Sequence, residues 1–409
     1  GTLACSLLQR TLSARTWSIA GRDERKLERI EKKFARGPFY RGKFCISGQE
    51  DIENAVKAAR LVLDFSGPKF LMGHAVASAC VRTGTHYIDT SGFGADVVAS
   101  KEAFDEIGPM AKKTGASLIF FCGIGLIQAD FGSWLLVKHL REKYELPTRC
   151  VDQYEVGHGV RLSGSILLTA KGPSDYEATL KNLGYFFLGG APGDGLKPDD
   201  DEDKIDASED QYAKMWRNIT EIPELICVRC SSGLFQDLQP YGPRFRFKGW
   251  NLFPDKAAAQ VNALRQGNRF LRRGYDKHIS MQKIPGQGQG PCERFRKETA
   301  YTRIYVAEAD VPPGQNAQKA YCVFQAGPGG DGDFLEGTAA IALEVADCVI
   351  AALDEGHKLR PGFGTPTYHL AHLGFAERLT ARLGFKIADG PPASTLFQNA
   401  FMSVAPLTA

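Results

Sequence analysis

At 409 residues the chain is long enough for two or three domains with substantial cores, and 43% hydrophobic with 24% charged residues exclude wholesale disorder. The net charge is only +3, but Asp199 to Asp210 holds eight acids against Lys204, a local −7 that leaves +10 on the remainder. That surplus suits an anionic cofactor or a lipid-like substrate, and a solvated basic surface explains it equally well.

The first 145 residues alternate helix and strand. Thr2 to Thr11 places Leu3, Leu7 and Leu8 on one helical face, in a helix already under way at the first residue. Trp17 to Ala20 is a short apolar run ended by Gly21, and Asp23 is placed to cap a helix whose stripe is Leu27, Ile30 and Phe34. Val56 to Ala59 closes a further helix. Leu61 to Phe65 is a continuous apolar run of the kind covered on both faces, stopped by Ser66-Gly67-Pro68. The pattern repeats: helix over Ala75 to Val81, strand over His86 to Ile88, helix over Lys101 to Lys113, strand over Ser117 to Phe121, helix over Ala129 to Arg141. Such units predict a Rossmann-type, doubly wound parallel sheet with right-handed crossovers, an α/β fold. Ligands then sit beyond the strand ends, at Gly21, Ser66, Asp89 and Cys122.

A dinucleotide site needs a glycine turn facing the pyrophosphate and a ribose-reading residue about 20 residues on. Gly1 stands where the third glycine would fall, so the chain reads as starting partway through that motif, without its first strand. The next strand ends at Gly21-Arg22. An acid there would bind the ribose hydroxyls of NAD; Arg22, with Lys26 nearby, offers cations to the 2′-phosphate of NADP instead. A solvated helix-start arginine is the alternative.

From Cys150 the pattern turns β-rich, with strands expected over Val151 to Val156 and Ile166 to Thr169, then a helical period over Tyr176 to Phe187. Pro192 to Asp210 reads as a mobile acidic loop and Gly286 to Pro291 as a flexible connection. Basic residues alternate with aromatics over Pro243 to Pro254, and Arg265, Arg269, Arg272 and Arg273 follow. Solvated faces over buried aromatics explain this, as does membrane-surface or lipid contact; nothing else supports nucleic acid. The ten cysteines are scattered, with Cys227 and Cys230 the only Cys-x-x-Cys, and read as buried small hydrophobes in a reduced compartment, without a metal. The apolar stretch Ala116 to Val137 is broken by Gln128 and Asp130 and is no membrane span.

Several stretches resemble the saccharopine dehydrogenase-like oxidoreductases, a family that includes the trans-acting enoyl reductases. AGRDERKLERI at Ala20 to Ile30 is similar to the family's AGR-x-x-x-KL, and Ser66-Gly67-Pro68 to its VGP turn. HYIDTSG at His86 to Gly92 resembles YxDxSGE, and CGIGLIQADFG at Cys122 to Gly132 resembles CGFDSIPSDLG. Ser163-Gly164-Ser165 is similar to an SGG(T/S) turn. GDGDFLEGTAAIALEVADCVIAAL at Gly330 to Leu353 resembles a family helix, which a last LxxxGF helix follows at Leu379 to Phe385.

The resemblance implies an NADP-binding Rossmann-like domain (1–145), an α+β substrate or dimerisation domain (146–333) with the acidic insert 192–210, and C-terminal helices (334–390) returning to the first domain. It implies cofactor contacts at Gly1, Gly21, Arg22, Ser66, Gly67 and Pro68, and an NADP(H)-dependent oxidoreductase of lipid or glycolipid metabolism acting on an enoyl or related substrate. A homodimer, and contact with a membrane or lipid droplet, are compatible with it, in the cytoplasm or an organelle interior. Two departures matter: the acid after DxSG is Phe93, and the family's DSIP reads Gly125-Leu126-Ile127-Gln128. They predict either a more apolar cleft or a catalytically silent scaffold bound to membrane or lipid droplet; an amino-acid dehydrogenase is a third reading. No catalytic residue is assigned, and Asp89, Asp130, Tyr154 and His158 are the candidate proton donors.

Overall fold

The computed structural model describes the chain except residues 1, 12–14, 35–37, 93, 159–162, 173–175, 185, 192–206, 220–221, 239, 268–284, 287–288, 298–299, 327–332 and 405–409. The first part runs α1 (Thr2–Thr11), β1 (Trp17–Gly21), α2 (Glu24–Phe34), β2 (Tyr40–Cys45), α3 (Gln49–Lys57), β3 (Leu61–Asp64), α4 (Lys69–Met72), α5 (Ala75–Thr83) and β4 (His86–Asp89). There follow α6 (Gly94–Glu102), a π-helical turn (Ala103–Ile107), α7 (Gly108–Thr114), β5 (Ser117–Ile119) and α8 (Leu126–Tyr144). Asp23 does cap α2, accepting the Lys26 amide at 3.0 Å.

The parallel strands form two sheets. β1 pairs with β2, and β3 joins β4, β5 and a late strand β12 (Gly362–Gly364) in the order β12-β5-β4-β3. Among the described residues no ladder bridges β1 and β3. This explains why Leu61, Val62 and Leu63, expected to be covered on both faces, are only half-buried: β3 is an edge. Helix α1 connects the two sheets through side chains. Its Cys5 packs with Ile19 and Leu27, and its Ala4 and Leu7 pack with Leu63, Phe65, Ala339 and Leu343.

The second part contains β6 (Thr148–His158), α9 (Gly164–Lys171), α10 (Tyr176–Leu183), β7 (Ser208–Glu209), β8 (Trp216–Ile219), α11 (Ile222–Leu234), β9 (Arg246–Phe253) and α12 (Lys256–Gly267). α13 (Glu293–Lys297), β10 (Ala300–Ala309), β11 (Lys319–Ala326) and α14 (Phe334–Asp354) follow. After β12 come α15 (Pro366–Leu370), α16 (Phe375–Leu383), β13 (Lys386–Asp389) and α17 (Ser394–Val404). Seven strands form a mixed sheet in the order β13-β11-β10-β6-β9-β8-β7, with only β6 and β9 parallel. Helix α8 is buried from Leu126 through Val137 and lies in the core against this sheet, which is why its sequence shows no polar face.

Two expectations need correction. Ile166 to Thr169 is helix, not strand. The Ser163 hydroxyl oxygen accepts the Ile166 amide at 3.3 Å as an N-cap, and Gly172 closes the helix, so local capping outweighs the β-branched residues. The helix at Leu379 to Phe385 is also not the last element. β13 pairs with β11, and α17 lays Phe397 and Ala400 against Tyr154 and Ile304 of the mixed sheet.

Candidate functional site

The loops at the carboxyl ends of the parallel strands form the edge at which doubly wound folds place their ligands. At the first, Gly21 is half-buried, and a Cβ there would lie 3.3 Å from Leu27. Arg22 is exposed; its Nη2 approaches Met72 Sδ at 3.8 Å, and among the described residues no carboxylate pairs with it. Lys26 faces Asp23 at 3.9 Å. Met72 ends α4, which begins directly after Ser66-Gly67-Pro68, so two regions singled out in the sequence meet at one edge. Ser66 is exposed, Pro68 is buried, and the Gly67–Pro68 peptide is cis. Gly1 and Phe93 lie outside the described residues.

Beneath Ser66 is a polar network that the sequence reading missed. Lys69, only 3% exposed, forms an ion pair with Asp64 and lies 3.8 Å from Asp89 Oδ2 and 3.3 Å from Ser66 Oγ. The Tyr87 hydroxyl donates to Asp64 Oδ2 at 3.0 Å and to Asp89 Oδ2 at 3.3 Å. Each carboxylate also braces its own loop: Asp64 Oδ1 accepts the Ser66 amide at 2.7 Å, and Asp89 Oδ1 accepts the Ser91 amide at 2.7 Å and its hydroxyl. Burial alone would raise the Asp64 pKa, but the Lys69 ammonium holds it below the ordinary carboxylate range. For Asp89 burial prevails over Lys69 and Ser91, and its pKa is raised. Burial also lifts Asp96, which accepts the Phe70 amide of α4 at 3.0 Å, to about 6. The available sequence signal was the pair of acids closing two adjacent strands, with a lysine after the first turn.

The loop after β5 meets the mixed sheet. Gly123 packs against Thr90 O, where a Cβ would come within 3.2 Å, and the Ile124 amide donates to Thr338 Oγ1 at 3.2 Å. Gly125 has φ +100°, a conformation that favours glycine. Its carbonyl oxygen accepts Arg303 Nη1 at 2.8 Å, and Arg303 Nη2 faces Glu155 Oε2 at 2.6 Å and Glu224 Oε1 at 3.5 Å. A Cβ at position 125 would lie 3.5 Å from Glu224 Oε1 and 3.6 Å from Arg303 Nη1. The position that carries an acid in the family pattern therefore sits at a charged cluster. Leu126 is buried in the core beside Gly92, while Phe93, the other residue behind the expected apolar cleft, lies outside the described residues.

The candidate proton donors are mostly committed elsewhere. Asp89 braces its turn as above. Asp130 is fully buried, accepting from the Ser231 hydroxyl and from the Thr367 amide at 3.1 Å, and burial raises its pKa to about 6. Tyr154 is buried in the mixed sheet and donates to Asp210 at 3.0 Å. The His158 side chain lies outside the described residues. Cys227 and Cys230 are buried on α11, and burial pushes both thiols above their ordinary pKa. The basic-aromatic run at β9 is a strand alternation with Phe247 and Leu252 buried; Arg269, Arg272 and Arg273 are outside the described residues.

Comparison with known proteins gives a consistent picture. Residues 1–111 match the family described as the saccharopine dehydrogenase NADP binding domain. A trans-acting enoyl reductase of Mycobacterium ulcerans (strain Agy99) is 24% identical over 72% of this chain and 75% of its own length. A saccharopine dehydrogenase-like oxidoreductase of Mus musculus is 30% identical, but the match spans only 28% of each chain. Among solved structures, the apo saccharopine dehydrogenase (L-Glu forming) of Saccharomyces cerevisiae aligns with a TM-score of 0.53. It covers 95% of this chain and 98% of its own at 13% identity, a likeness of fold. No helix among the described residues is long and apolar enough to cross a membrane.

Proposed function

We propose that the chain, whose residues 1–111 match the saccharopine dehydrogenase NADP binding domain, is a saccharopine dehydrogenase-like, NADP(H)-dependent oxidoreductase reducing an enoyl or related lipid-like substrate. The carrying observation is Arg22: an exposed guanidinium with no carboxylate partner among the described residues, at the strand end where the ribose is read. A charge-assisted contact to a 2′-phosphate gives it a role that a dinucleotide lacking that phosphate does not. Half-buried Met72 adjoins it, so the edge presents an apolar side chain beside the cation, which fits a nucleotide with a ring and a phosphate. Gly21, Ser66, Gly67 and Pro68 complete the proposed contacts, with Gly1 included from the sequence pattern.

The bound nicotinamide supplies a hydride. The chain must orient the acceptor, exclude water and provide a proton. The enoyl substrate is supported by the mycobacterial relative, whose match extends well beyond the nucleotide-binding domain. A second reading, an amino-acid substrate of the saccharopine type, is favoured by the charged seam at Arg303, Glu155 and Glu224. One assay separates them: NADPH oxidation with medium- and long-chain enoyl thioesters, beside NAD(P) reduction with saccharopine. Turnover of the thioesters alone is expected. Turnover of saccharopine alone overturns the substrate class, and failure to bind NADPH overturns the cofactor.

A further inference from the structure

We infer that Asp96 is a positioning residue for the choice of nucleotide: it caps the short helix α4 from α6, and α4 holds Met72 beside Arg22. This rests on the cofactor reading above. Helix α4 begins at Lys69 after Pro68, which stands in the N-cap position and has no side-chain acceptor to offer. Its four leading amides are nonetheless satisfied. Pro68 O accepts those of Leu71 and Met72 at 3.2 Å each. Asp96 Oδ1 accepts that of Phe70 at 3.0 Å, and the Lys69 amide is directed at the same carboxyl group. The cap therefore comes from 26 residues away, in the helix after the next strand. The Lys69 ion pairs anchor one residue of α4, whereas the amide bonds to Asp96 set the direction of its axis.

Asp96 is itself held from the other side. It is buried, and its Oδ2 faces Thr169 Oγ1 of α9, in the second part of the chain, at 3.5 Å. The threonine hydroxyl has one proton and a nearer acceptor, the Ser165 carbonyl oxygen at 3.0 Å. Helices α4, α6 and α9 thus meet at one carboxyl group. At its far end α4 carries Met72, whose Sδ is the atom that Arg22 Nη2 approaches, at 3.8 Å. Arg22 is exposed, and an exposed arginine samples many rotamers that are lost on binding at an entropic cost. A neighbour that restricts them before the ligand arrives raises affinity for the phosphate this arginine reads. Losing the cap frees the first turn of α4, and with it the position of Met72.

The test measures NADPH and NADH affinity of the full chain by fluorescence titration, with the thermal midpoint as a check on folding. Asp96→Ala should weaken NADPH roughly three- to tenfold, less than Arg22→Ala, and leave NADH nearly unchanged. Asp96→Asn should keep the wild-type preference. Its amide oxygen still accepts the Phe70 amide, and its amide nitrogen can donate to Thr169 Oγ1. Met72→Ala breaks the same chain of contacts at the surface and should lower the preference as Asp96→Ala does; it takes the place of that variant if Asp96→Ala does not fold. In the Arg22→Ala background, Asp96→Ala should have no further effect on the ratio of the two affinities. An unchanged preference in folded Asp96→Ala or in Met72→Ala, equal losses for both nucleotides, or an Asp96→Asn variant no better than Asp96→Ala overturns the inference alone. A wild-type chain that does not prefer NADPH overturns the cofactor reading and this inference with it.

Discussion

Arg303, in the middle of the mixed sheet, donates to the carbonyl oxygen of Gly125 at 2.8 Å and so joins that sheet to the loop after the parallel strand β5. Glu155, directly opposite on β6, and Glu224 on α11 balance the guanidinium. Because the three groups share one site, removing the cation leaves two carboxylates together with a lost backbone contact. Arg303→Met should therefore cost about 3–5 kcal/mol in unfolding free energy, and Arg303→Lys less. Urea denaturation measures it; a loss of no more than about 1 kcal/mol would mean that the cluster behaves as a surface pair.

Arg22→Ala should lower NADPH affinity by roughly ten- to a hundredfold, or about 1.5–3 kcal/mol, and leave NADH binding nearly unchanged. The comparison of the two nucleotides is what matters, since only one carries the 2′-phosphate. Equal losses for both would place Arg22 against a part of the ligand that they share.

The acidic segment divides into two parts with opposite expectations. Residues 199–206 lie outside the described residues, and their composition leaves little to bury, so their deletion should barely move the thermal midpoint. Asp210, which the sequence grouped with them, is buried. It accepts the Tyr154 hydroxyl at 3.0 Å, Arg217 at 2.6 Å, and the amides of Tyr212 and Ala213 at 2.8 Å each. Asp210→Ala should cost about 3–5 kcal/mol, because it strands partly buried donors and a cation. Equal effects from the two changes would mean that the segment acts as one unit.

Asp130 should make stability fall with rising pH. Burial raises its folded pKa from 3.8 to about 6, so below pH 3.8 both states hold the proton. Between the two values the unfolded chain ionises first, and native stability drops; above about 6 the penalty is constant, at most about 3 kcal/mol. Asp130→Asn keeps an acceptor for Ser231 and Thr367 and does not titrate. The variant should gain on the wild type as pH climbs from 4 to about 6, which taking the difference isolates from Asp96. A difference that does not vary with pH would show that Asp130 ionises at its ordinary value.

The alternation of helix and strand to residue 145 was legible in the sequence because apolar period, glycine stops and capping residues act over a few neighbours. So was the stripe Ile341, Val345, Cys348, Val349 and Ala352 of α14, all buried, whose helix starts at the Asp333 cap. Where local signals compete, as in the Ser163-capped helix expected as a strand, the hydrophobic pattern alone does not decide. Only the tertiary structure decided which polar residues are committed. Tyr154 and Asp130 look like donors in the sequence but are tied to Asp210, Ser231 and Thr367, while Lys69 was missed and sits between two carboxylates. The same holds for position 125, where the absent family acid meets Arg303 from 178 residues away. Whether a charge is buried and paired depends on strand order and register, and these are set by the packing of the whole chain.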